Sequence, residues 1–421
     1  RASLVNADAG TIGSGGWGTS AWTVTSDGVL TIGSGTLGTG GAPWESTQLY
    51  ASDNPSRILR SRITKVVIEP NVIAGDSISY MFFKNANDWG GNDPLTEIDG
   101  LENLDVSNTT DFSQLFSGDQ VTDFSGIAKW QTSKATSFYN MFFNVSATKL
   151  PVTTTVDPVT GKTYWDVSNV TEFTGMFGSS AQLKSLDLTS WKINTTQPVH
   201  MGGMFINDTG LTSLDLRGWD TRTVDNMSKL FSNTTTLTTG LQLGQWTTNP
   251  NVAGWTTAAV TNFSDMFNGA GMSEDMIQSI INHFDTSKAT KMGYMFANLP
   301  IKTIDISMFD MSNLTDVAHM FQKTPNLQKI TVNATTRLMT FDKILLERFV
   351  GVDLTNVPTP EGTWQSIDGG PTYTSTALMA LYQGDANPAG TMTYIWSPAV
   401  RSQIATQDLT IVAGPNVGWG R

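Results

Sequence analysis

Four aspartates occupy one recurring position in the sequence, and a row of carboxylates is an arrangement that can bind cations or basic ligands. Each aspartate stands between the last two apolar residues of a Leu-x-x-Leu-x-Leu pattern or a close variant of it. They are Asp105, Asp187, Asp215 and Asp305. If these segments are stacked parallel strands, the carboxylates lie about 4.8 Å apart. Because like charges at that distance repel, each carboxylate needs a hydroxyl or amide partner, a cation or a basic ligand.

The residues alone leave two roles open for this row. In the structural role, neighbouring Ser and Thr residues donate hydrogen bonds to the carboxylates. In the functional role, the row faces a ligand as an acidic stripe, relieved where Gln242 and Thr331 interrupt it. The ligand-binding residues predicted on the strands are Ser185, Asp187, Ser213, Asp215, Thr303 and Asp305.

Loop tryptophans offer a different chemistry, the stacking of aromatic rings on sugars. Trp89 lies in a polar insertion at residues 84–94, and Trp246 lies in an insertion at residues 244–254. Both are predicted as ligand-binding residues. A longer aromatic column is instead predicted to be core packing, because Phe replaces Trp at equivalent positions. Its members are Trp130, Trp165, Trp191, Trp219, Trp255, Phe284 and Phe309.

Catalysis and metal binding find little support in the residue types. There are three histidines, His200, His283 and His319, and no cysteine. No phosphate loop, Gly-x-Ser-x-Gly elbow or His-Glu-x-x-His motif is present. Oxygen ligands such as Asp88 and Asp93 lack the spacing of a calcium loop. We therefore expect no enzyme activity, no metal site and no cofactor.

The composition narrows the class of protein. The formal net charge of −12 disfavours nucleic acid as a partner. No apolar run approaches the roughly 18 residues of a membrane span, so no membrane insertion of this segment is expected. The absence of cysteine excludes disulfides and thiolate metal sites. Charged residues make up 15% of the chain and hydrophobic residues 39%, which is the composition of a folded protein.

A recurring phenylalanine shows how these candidate residues are positioned. It ends each copy of a degenerate unit of about 25 residues, with insertions of up to about ten, which lies in the range of leucine-rich repeats. The copies end at Phe82, Phe116, Phe142, Phe177, Phe205, Phe231, Phe267, Phe296 and Phe321. The spacing predicts stacked units that bury one continuous core.

Each unit divides into two predicted halves. The first half is a strand, as at residues 183–188, 211–216, 301–306 and 327–332. In the second half, apolar residues at i, i+3, i+6 and i+7 predict a helix of two turns before the terminal Phe. Ser168, Ser287 and Ser312 are predicted to cap these helices. A longer helix capped by Ser273 is predicted to replace the strand after Phe267.

The predicted fold is an α/β repeat solenoid, a leucine-rich-repeat-like array of short strands and short helices with terminal caps. Residues 1–72 form an N-terminal β-hairpin cap with strands around the Ser26-Asp27-Gly28 turn. Residues 73–336 are the repeat array, from which a hairpin projects at residues 144–164. Residues 337–398 are a C-terminal α/β cap that begins with a helix at 341–350. Residues 399–421 are expected to open an immunoglobulin-like module or a linker.

The repeat phrase Trp-Asp-x-Ser-x-Val-Thr-x-Met-x-x-Met-Phe resembles that of the BspA-like leucine-rich repeat surface proteins of lactobacilli and related bacteria. Copies lie at residues 165–177, 219–231, 255–267, 284–296 and 309–321. The resemblance covers roughly residues 73–335. It implies a secreted protein, attached to the bacterial cell wall, that binds host or neighbouring-cell surfaces.

We therefore predict a non-enzymatic adhesin that is a monomer. Its partner is expected to be an extracellular matrix protein, a mucin or a surface glycan, bound through the concave strand face and the projecting loops. The alternative is a carbohydrate-binding module in which Trp89 or Trp246 stacks on sugars.

Overall fold

The computed structural model describes residues 9–84, 92–356 and 362–396. These residues divide into two compact units. Unit 1 holds residues 9–84, 92–200, 207–220 and 240–245. Unit 2 holds residues 201–206, 221–239, 246–356 and 362–396. The immunoglobulin-like start predicted at 399–421 lies outside the described residues.

Short strands dominate both units. In chain order they are β1 Thr11–Trp17, β2 Ser20–Thr25, β3 Val29–Ile32, β4 Gly35–Thr36, β5 Tyr50–Ala51, β6 Asn54–Ile58, β7 Lys65–Ile68, β8 Val72–Ile73, β9 Glu97–Asp99, β10 Leu104–Asp105, β11 Thr155–Val156 and β12 Thr163–Tyr164. They continue with β13 Ser185–Asp187, β14 Val199–His200, β15 Ser213–Leu216, β16 Val224–Asn226, β17 Leu241–Leu243, β18 Thr303–Asp305, β19 Lys329–Val332, β20 Met339–Asp342, β21 Arg348–Gly351, β22 Trp364–Ser366, β23 Thr372–Tyr373 and β24 Met392–Trp396. Two α-helices are described, α1 Glu274–Ile281 and α2 Ser375–Leu381.

A five-stranded sheet in the order β1-β2-β3-β7-β9 opens unit 1. The predicted hairpin is present as β2 and β3, which pair antiparallel. Gly28 closes its turn with φ +89°, and a Cβ there would lie 2.9 Å from the carbonyl oxygen of Arg62. Glycine is therefore required at this turn. β3 pairs in parallel with β7, and β7 pairs in parallel with β9. Two parallel strands therefore extend the antiparallel hairpin on its β3 edge.

The predicted strands of the repeats are present and stack in register. In unit 1, β13, β15 and β17 form a parallel sheet in that order. In unit 2, β18 pairs in parallel with β19, and β24 pairs antiparallel with the other edge of β19. The inward leucines of these strands are buried, as at Leu186 and Leu214. Alternation along each strand therefore sends its other side chains outward.

The two-turn helices predicted before each terminal Phe are wrong. Each segment instead makes two successive tight turns, as where the amide of Met81 donates to the carbonyl of Ile78 and that of Phe83 to that of Tyr80. A residue with positive φ stands two positions before the terminal Phe in every unit, and a right-handed helix cannot continue through it. These residues are Tyr80, Gln114, Asn140, Gly175, Gly203, Lys229, Asp265, Tyr294 and His319.

Hydrogen bonds between neighbouring copies replace the missing helical bonds. The amides of Tyr80 and Phe82 donate to the carbonyls of Ser113 and Leu115 in the next copy, each at 3.0 Å. The same ladder recurs in unit 2, where the amide of Phe267 donates to the carbonyl of Met295 at 3.0 Å. The backbone of each copy is therefore satisfied by its neighbour along both halves of the unit.

The predicted serine caps are also wrong, because no helix follows these serines. The amide of Ser168 donates to Oδ1 of Asp166 at 2.9 Å, and Ser287 and Ser312 make the same contact with the aspartate two positions earlier. Each serine is thus the third residue of an Asx turn, in which the Asp side chain is the acceptor. The cap predicted at Ser273 is present, since its hydroxyl accepts from the amide of Met276 at 3.2 Å.

Residues 341–350 are a hairpin and not the predicted helix. β20 pairs antiparallel with β21, and Phe341 lies opposite Phe349. The inward pair Thr340 and Val350 is buried at its base. The aromatic and β-branched residues at paired positions favour strands over helix. The predicted hairpin at 144–164 is present as β11 and β12.

The predicted aromatic core is confirmed. Every member of the column from Trp130 to Phe309 is buried. Four of its tryptophans, Trp130, Trp165, Trp191 and Trp219, also donate a hydrogen bond from the indole nitrogen to a carbonyl of the preceding copy. Nε1 of Trp165 donates to Ile127 at 2.8 Å, and Nε1 of Trp219 to Leu188 at 2.9 Å.

Candidate ligand-binding surface

The strand face of unit 1 brings four of the predicted residues together. Ser185 lies opposite Ser213, and Asp187 lies opposite Asp215, in adjacent parallel strands. Asp215 in turn lies opposite Gln242, so the carboxylate row ends there. Ser185, Asp187 and Ser213 are exposed, and Asp215 is half-buried. Because strands stacked on a packed core hold their side chains in fixed positions, this face is suited to extended polar contact.

Each carboxylate in the row is satisfied by the residue two positions later. Oδ1 of Asp187 accepts from the amide of Thr189 at 3.1 Å and from its hydroxyl at 2.6 Å. Asp215 accepts from the amide and guanidinium of Arg217, with a shortest contact of 2.7 Å. These bonds support the structural role that the sequence left open.

Arg217 makes the face a mixed stripe of charge instead of a purely acidic one. Its hydrogen bond lowers the pKa of the Asp215 carboxyl, and Asp215 in turn raises the pKa of the Arg217 guanidinium, with a smaller contribution from Asp187. Arg217 is exposed, so a ligand on this face meets a cation beside the Asp215 carboxylate. Arg217 was not among the predicted ligand-binding residues, although it directly follows the Asp215-Leu216 step of the strand.

Thr303 and Asp305 belong to a different sheet, in unit 2, where they lie opposite Lys329 and Thr331. Both are half-buried. Two side chains of α1 bind the free edge of β18: Oε1 of Gln278 accepts from the amide of Asp305 at 2.9 Å, and Oε1 of Glu274 accepts from the amide of Thr303 at 2.8 Å. Helix α1 takes the place of a repeat strand. Its side chains therefore supply hydrogen-bond acceptors to the amides on the edge of β18 that such a strand would have paired with.

The two loop tryptophans have different outcomes. Trp89 lies outside the described residues. Trp246 is half-buried, and the ring of His283 stacks on it with centroids 5.1 Å apart and planes at 6°. The rings of Trp255 and Phe284 pack against it at 5.8 and 5.9 Å. One face of Trp246 is thus already occupied by a protein ring.

A cavity of about 230 Å³ beside β10 in unit 1 was not predicted. Its lining includes a lysine of the projecting hairpin and Asp105, which lies opposite Ile73 in the sheet β10-β8-β4 and not in the sheet of Asp187 and Asp215. The lining residues are Glu102, Asn103, Leu104, Asp105, Val106, Gly126, Lys129, Trp130, Gln131 and Lys162. Its volume is below the roughly 300 Å³ at which small-molecule sites begin.

Of the two aspartates considered as calcium ligands, Asp88 lies outside the described residues, and Asp93 is engaged in an ion pair. Asp93 is buried and binds the guanidinium of Arg60 at 2.9 and 2.8 Å. Within residues 9–84, 92–356 and 362–396, no three His, Cys, Asp or Glu side chains form a group that could hold a metal ion. In the same part of the chain, no helix has the length and apolar character needed to cross a membrane.

Taken together, the stacked strands, the buried aromatic columns and the recurring turns define a repeat protein. Three overlapping stretches match the family described as Mycoplasma protein of unknown function, DUF285, at residues 76–192, 152–252 and 242–345. The matches span more than half of the chain, which therefore belongs to this family. This supports the repeat-protein part of the BspA-like resemblance.

A solved structure is also similar to this chain, that of a leucine-rich repeat protein from Eubacterium ventriosum. The two are 15% identical, the similarity covers 76% of this chain and 90% of that one, and the TM-score is 0.25. No curated protein matches the chain.

Proposed function

We propose that this protein is a non-enzymatic adhesin, secreted and attached to the bacterial cell wall, that binds an extracellular matrix protein or a mucin. The observation that carries the proposal is the in-register strand face of unit 1. There Ser185, Ser213, Asp187, Asp215 and Arg217 present hydroxyls and both signs of charge on adjacent strands. Extended polar surfaces of this kind suit a macromolecular partner better than a small substrate.

The projecting hairpin supports the same interpretation. Val159 at its turn is exposed, and the turn is held by Asp157, whose carboxylate accepts from the amides of Val159 and Thr160 at 2.8 and 3.2 Å. A rigid loop loses little conformational freedom when it binds, which favours affinity. The strand face and this hairpin, both in unit 1, are the proposed binding surface.

Binding to immobilised gastric mucin and to immobilised fibronectin tests the proposal. The double variant Asp187→Asn, Asp215→Asn keeps side-chain acceptors for residues 189 and 217 but removes both charges. We expect its affinity for the bound probe to fall by about tenfold, which corresponds to ~1.4 kcal/mol. The salt dependence of the residual binding should also decrease, because two screened charges are gone. Asp285→Asn, which removes an Asx-turn aspartate on a different repeat, is the matched control.

Two outcomes contradict the proposal. Unchanged binding of the double variant would return the Asp row to a purely structural role. Binding that is lost on deglycosylation of the probe and also lost in Trp246→Ala or Trp89→Ala would favour sugar stacking, the alternative function. A glycan array separates that alternative directly, because it presents the sugars without a protein carrier.

A further inference from the structure

Five large hydrophobic residues of the hairpin β20–β21 are exposed to solvent. Its turn places three aliphatic residues in succession, with Ile344 90% exposed, Leu345 83% and Leu346 50%. Behind them Phe341 and Phe349, each 43% exposed, pack edge to face with ring centroids 5.3 Å apart. Scattered exposed leucines need no explanation, but a contiguous patch of this kind marks an interaction site.

The structure holds this tip in place. The carboxylate of Asp342 accepts from the amides of Ile344 and Leu345, each at 3.0 Å, and these bonds lower its pKa. At the base, the hydroxyl of Thr340 accepts from the amide of Val317 at 3.0 Å and ties the hairpin to the repeats. Because these backbone donors are satisfied internally, moving the tip out of water leaves fewer unpaired polar groups.

Charge and aromatic chemistry surround the aliphatic tip. The segment from β20 to β21 contains two positively charged residues, Lys343 and Arg348, and two negatively charged residues, Asp342 and Glu347. It therefore has no net charge. Cations of this kind bind phosphate groups. Aromatic faces such as those of the phenylalanine pair bind quaternary ammonium groups. A zwitterionic headgroup carries both a phosphate and a quaternary ammonium, so it complements this surface.

We propose that the β20–β21 tip docks on the surface of a phosphatidylcholine bilayer, with Ile344, Leu345 and Leu346 entering the interface. Such shallow contact needs no membrane-spanning helix. The overall charge of −12 disfavours anionic lipid as the target.

Protein occupants fit the tip less well. Its exposed apolar surface comprises five side chains, far fewer than the roughly 20–30 residues that each partner contributes to a standard protein interface. Consecutive side chains in a turn diverge, so a protein would need a separate pocket for each of the three. Fluid acyl chains accommodate them without preformed pockets.

Co-sedimentation of the full chain with extruded phosphatidylcholine vesicles tests the proposal. We expect the protein to pellet with vesicles at millimolar lipid. The double variant Ile344→Gln, Leu345→Gln should lower its partition coefficient by roughly tenfold. Ile367→Gln is the matched control, because Ile367 is a 55% exposed aliphatic residue outside this hairpin. The control should bind vesicles as the wild type does, and all three proteins should have the same thermal midpoint.

Three results would overturn the proposal. One is a wild-type protein that stays in the supernatant at every lipid concentration. Another is binding that requires phosphatidylglycerol and disappears at 0.5 M salt. The third is a wild-type dimer in sedimentation equilibrium that the double variant converts to a monomer, which would assign the tip to a second copy of this chain.

Discussion

Two aspartates, Asp119 and Asp208, occupy the position three residues after the terminal phenylalanine of their repeats, and both are fully buried. Other copies fill this position with small or apolar side chains, namely Val145, Ser180, Thr234, Ala270, Leu299 and Thr324. Burial raises the pKa of both aspartyl carboxyls well above the usual range. For Asp208, one oxygen accepts from the amide of Ser180 at 2.8 Å, and Oδ2 has no hydrogen-bond partner among the described residues.

Asp208→Asn should stabilise the protein at neutral pH. The native state holds the Asp208 proton more tightly than the unfolded chain, whose carboxyl titrates near 3.8. The stability associated with this proton is therefore fully present below that pH and is lost as pH rises through the native pKa. Asparagine keeps the acceptor for Ser180 and does not ionise. We expect no change in the free energy of unfolding near pH 3.5 and a gain of about 1–3 kcal/mol at pH 7, measured by urea denaturation.

Asp157 supplies the matched control for this pH dependence. The amides of Val159 and Thr160 lower its pKa, so its contribution to stability is present above the ordinary pKa and is lost as pH falls. Asp157→Asn should therefore lower stability at pH 7 and not at pH 3. The explanation for Asp208 fails if its Asn variant shows the same stability difference from the wild type at both pH values.

The recurring double turn is the element that separates this repeat from the predicted one. Its apolar spacing of i, i+3, i+6 and i+7 fits one face of a helix, but it fits two consecutive turns of four residues equally well. The signal that distinguishes them lies two positions after the terminal Phe. Residues there have positive φ and are mostly Asn or Gly: Gly118, Asn144, Ser179, Asn207, Asn233, Gly269, Asn298 and Lys323. Asn and Gly recurring at one position indicate a left-handed residue, which no helix interior accepts.

Lys323 tests the cost of this left-handed position. It is exposed and has φ +55°. Lys323→Gly should raise the free energy of unfolding by about 0.5–1 kcal/mol, because glycine adopts positive φ without a clash. Lys323→Val should lower it by about 1–2 kcal/mol, since a β-branched residue is most strained there. The same substitutions at Lys288, exposed and without positive φ, are the control in a guanidinium melt. Equal effects at both sites would refute the argument.

The strands of the repeats and the buried core were predictable from sequence, because burial and alternation leave direct traces in it. The strands around Leu186 and Leu214 and the helix capped by Ser273 were found in this way. The apolar tip at Ile344 was not, since burial arguments send three adjacent aliphatic residues inward. Part of the candidate site was also predictable, because Asp187 and Asp215 occupy equivalent positions in the repeat and therefore lie opposite each other in adjacent strands. The contribution of Arg217 depended on a side-chain contact that no periodicity encodes.

At the scale of whole units, stacked phenylalanines run through the core of each one. In unit 1, Phe116 stacks on Phe142, and Phe142 on Phe177, with centroids 5.6 and 5.9 Å apart. In unit 2, Phe231 lies between Phe205 and Phe267, at 6.4 and 6.1 Å. Each ring therefore contacts both neighbouring copies, and the stability of one copy depends on those beside it.

Phe231→Ala should destabilise unit 2 by about 3–5 kcal/mol, because its fully buried ring leaves a cavity that neighbours held by ladder hydrogen bonds cannot fill. Hydrogen exchange followed by mass spectrometry is the informative measurement, because it reads each peptide separately. In a stack with nearest-neighbour coupling, protection should fall first in the peptides carrying Phe205 and Phe267, the rings in contact with the cavity, and less in the peptide carrying Phe321. Phe341→Ala, on the exposed hairpin, should leave these peptides unchanged. Uniform loss across unit 2 would mean that it unfolds as one cooperative block, and no loss at all would contradict the packing role of the phenylalanine column.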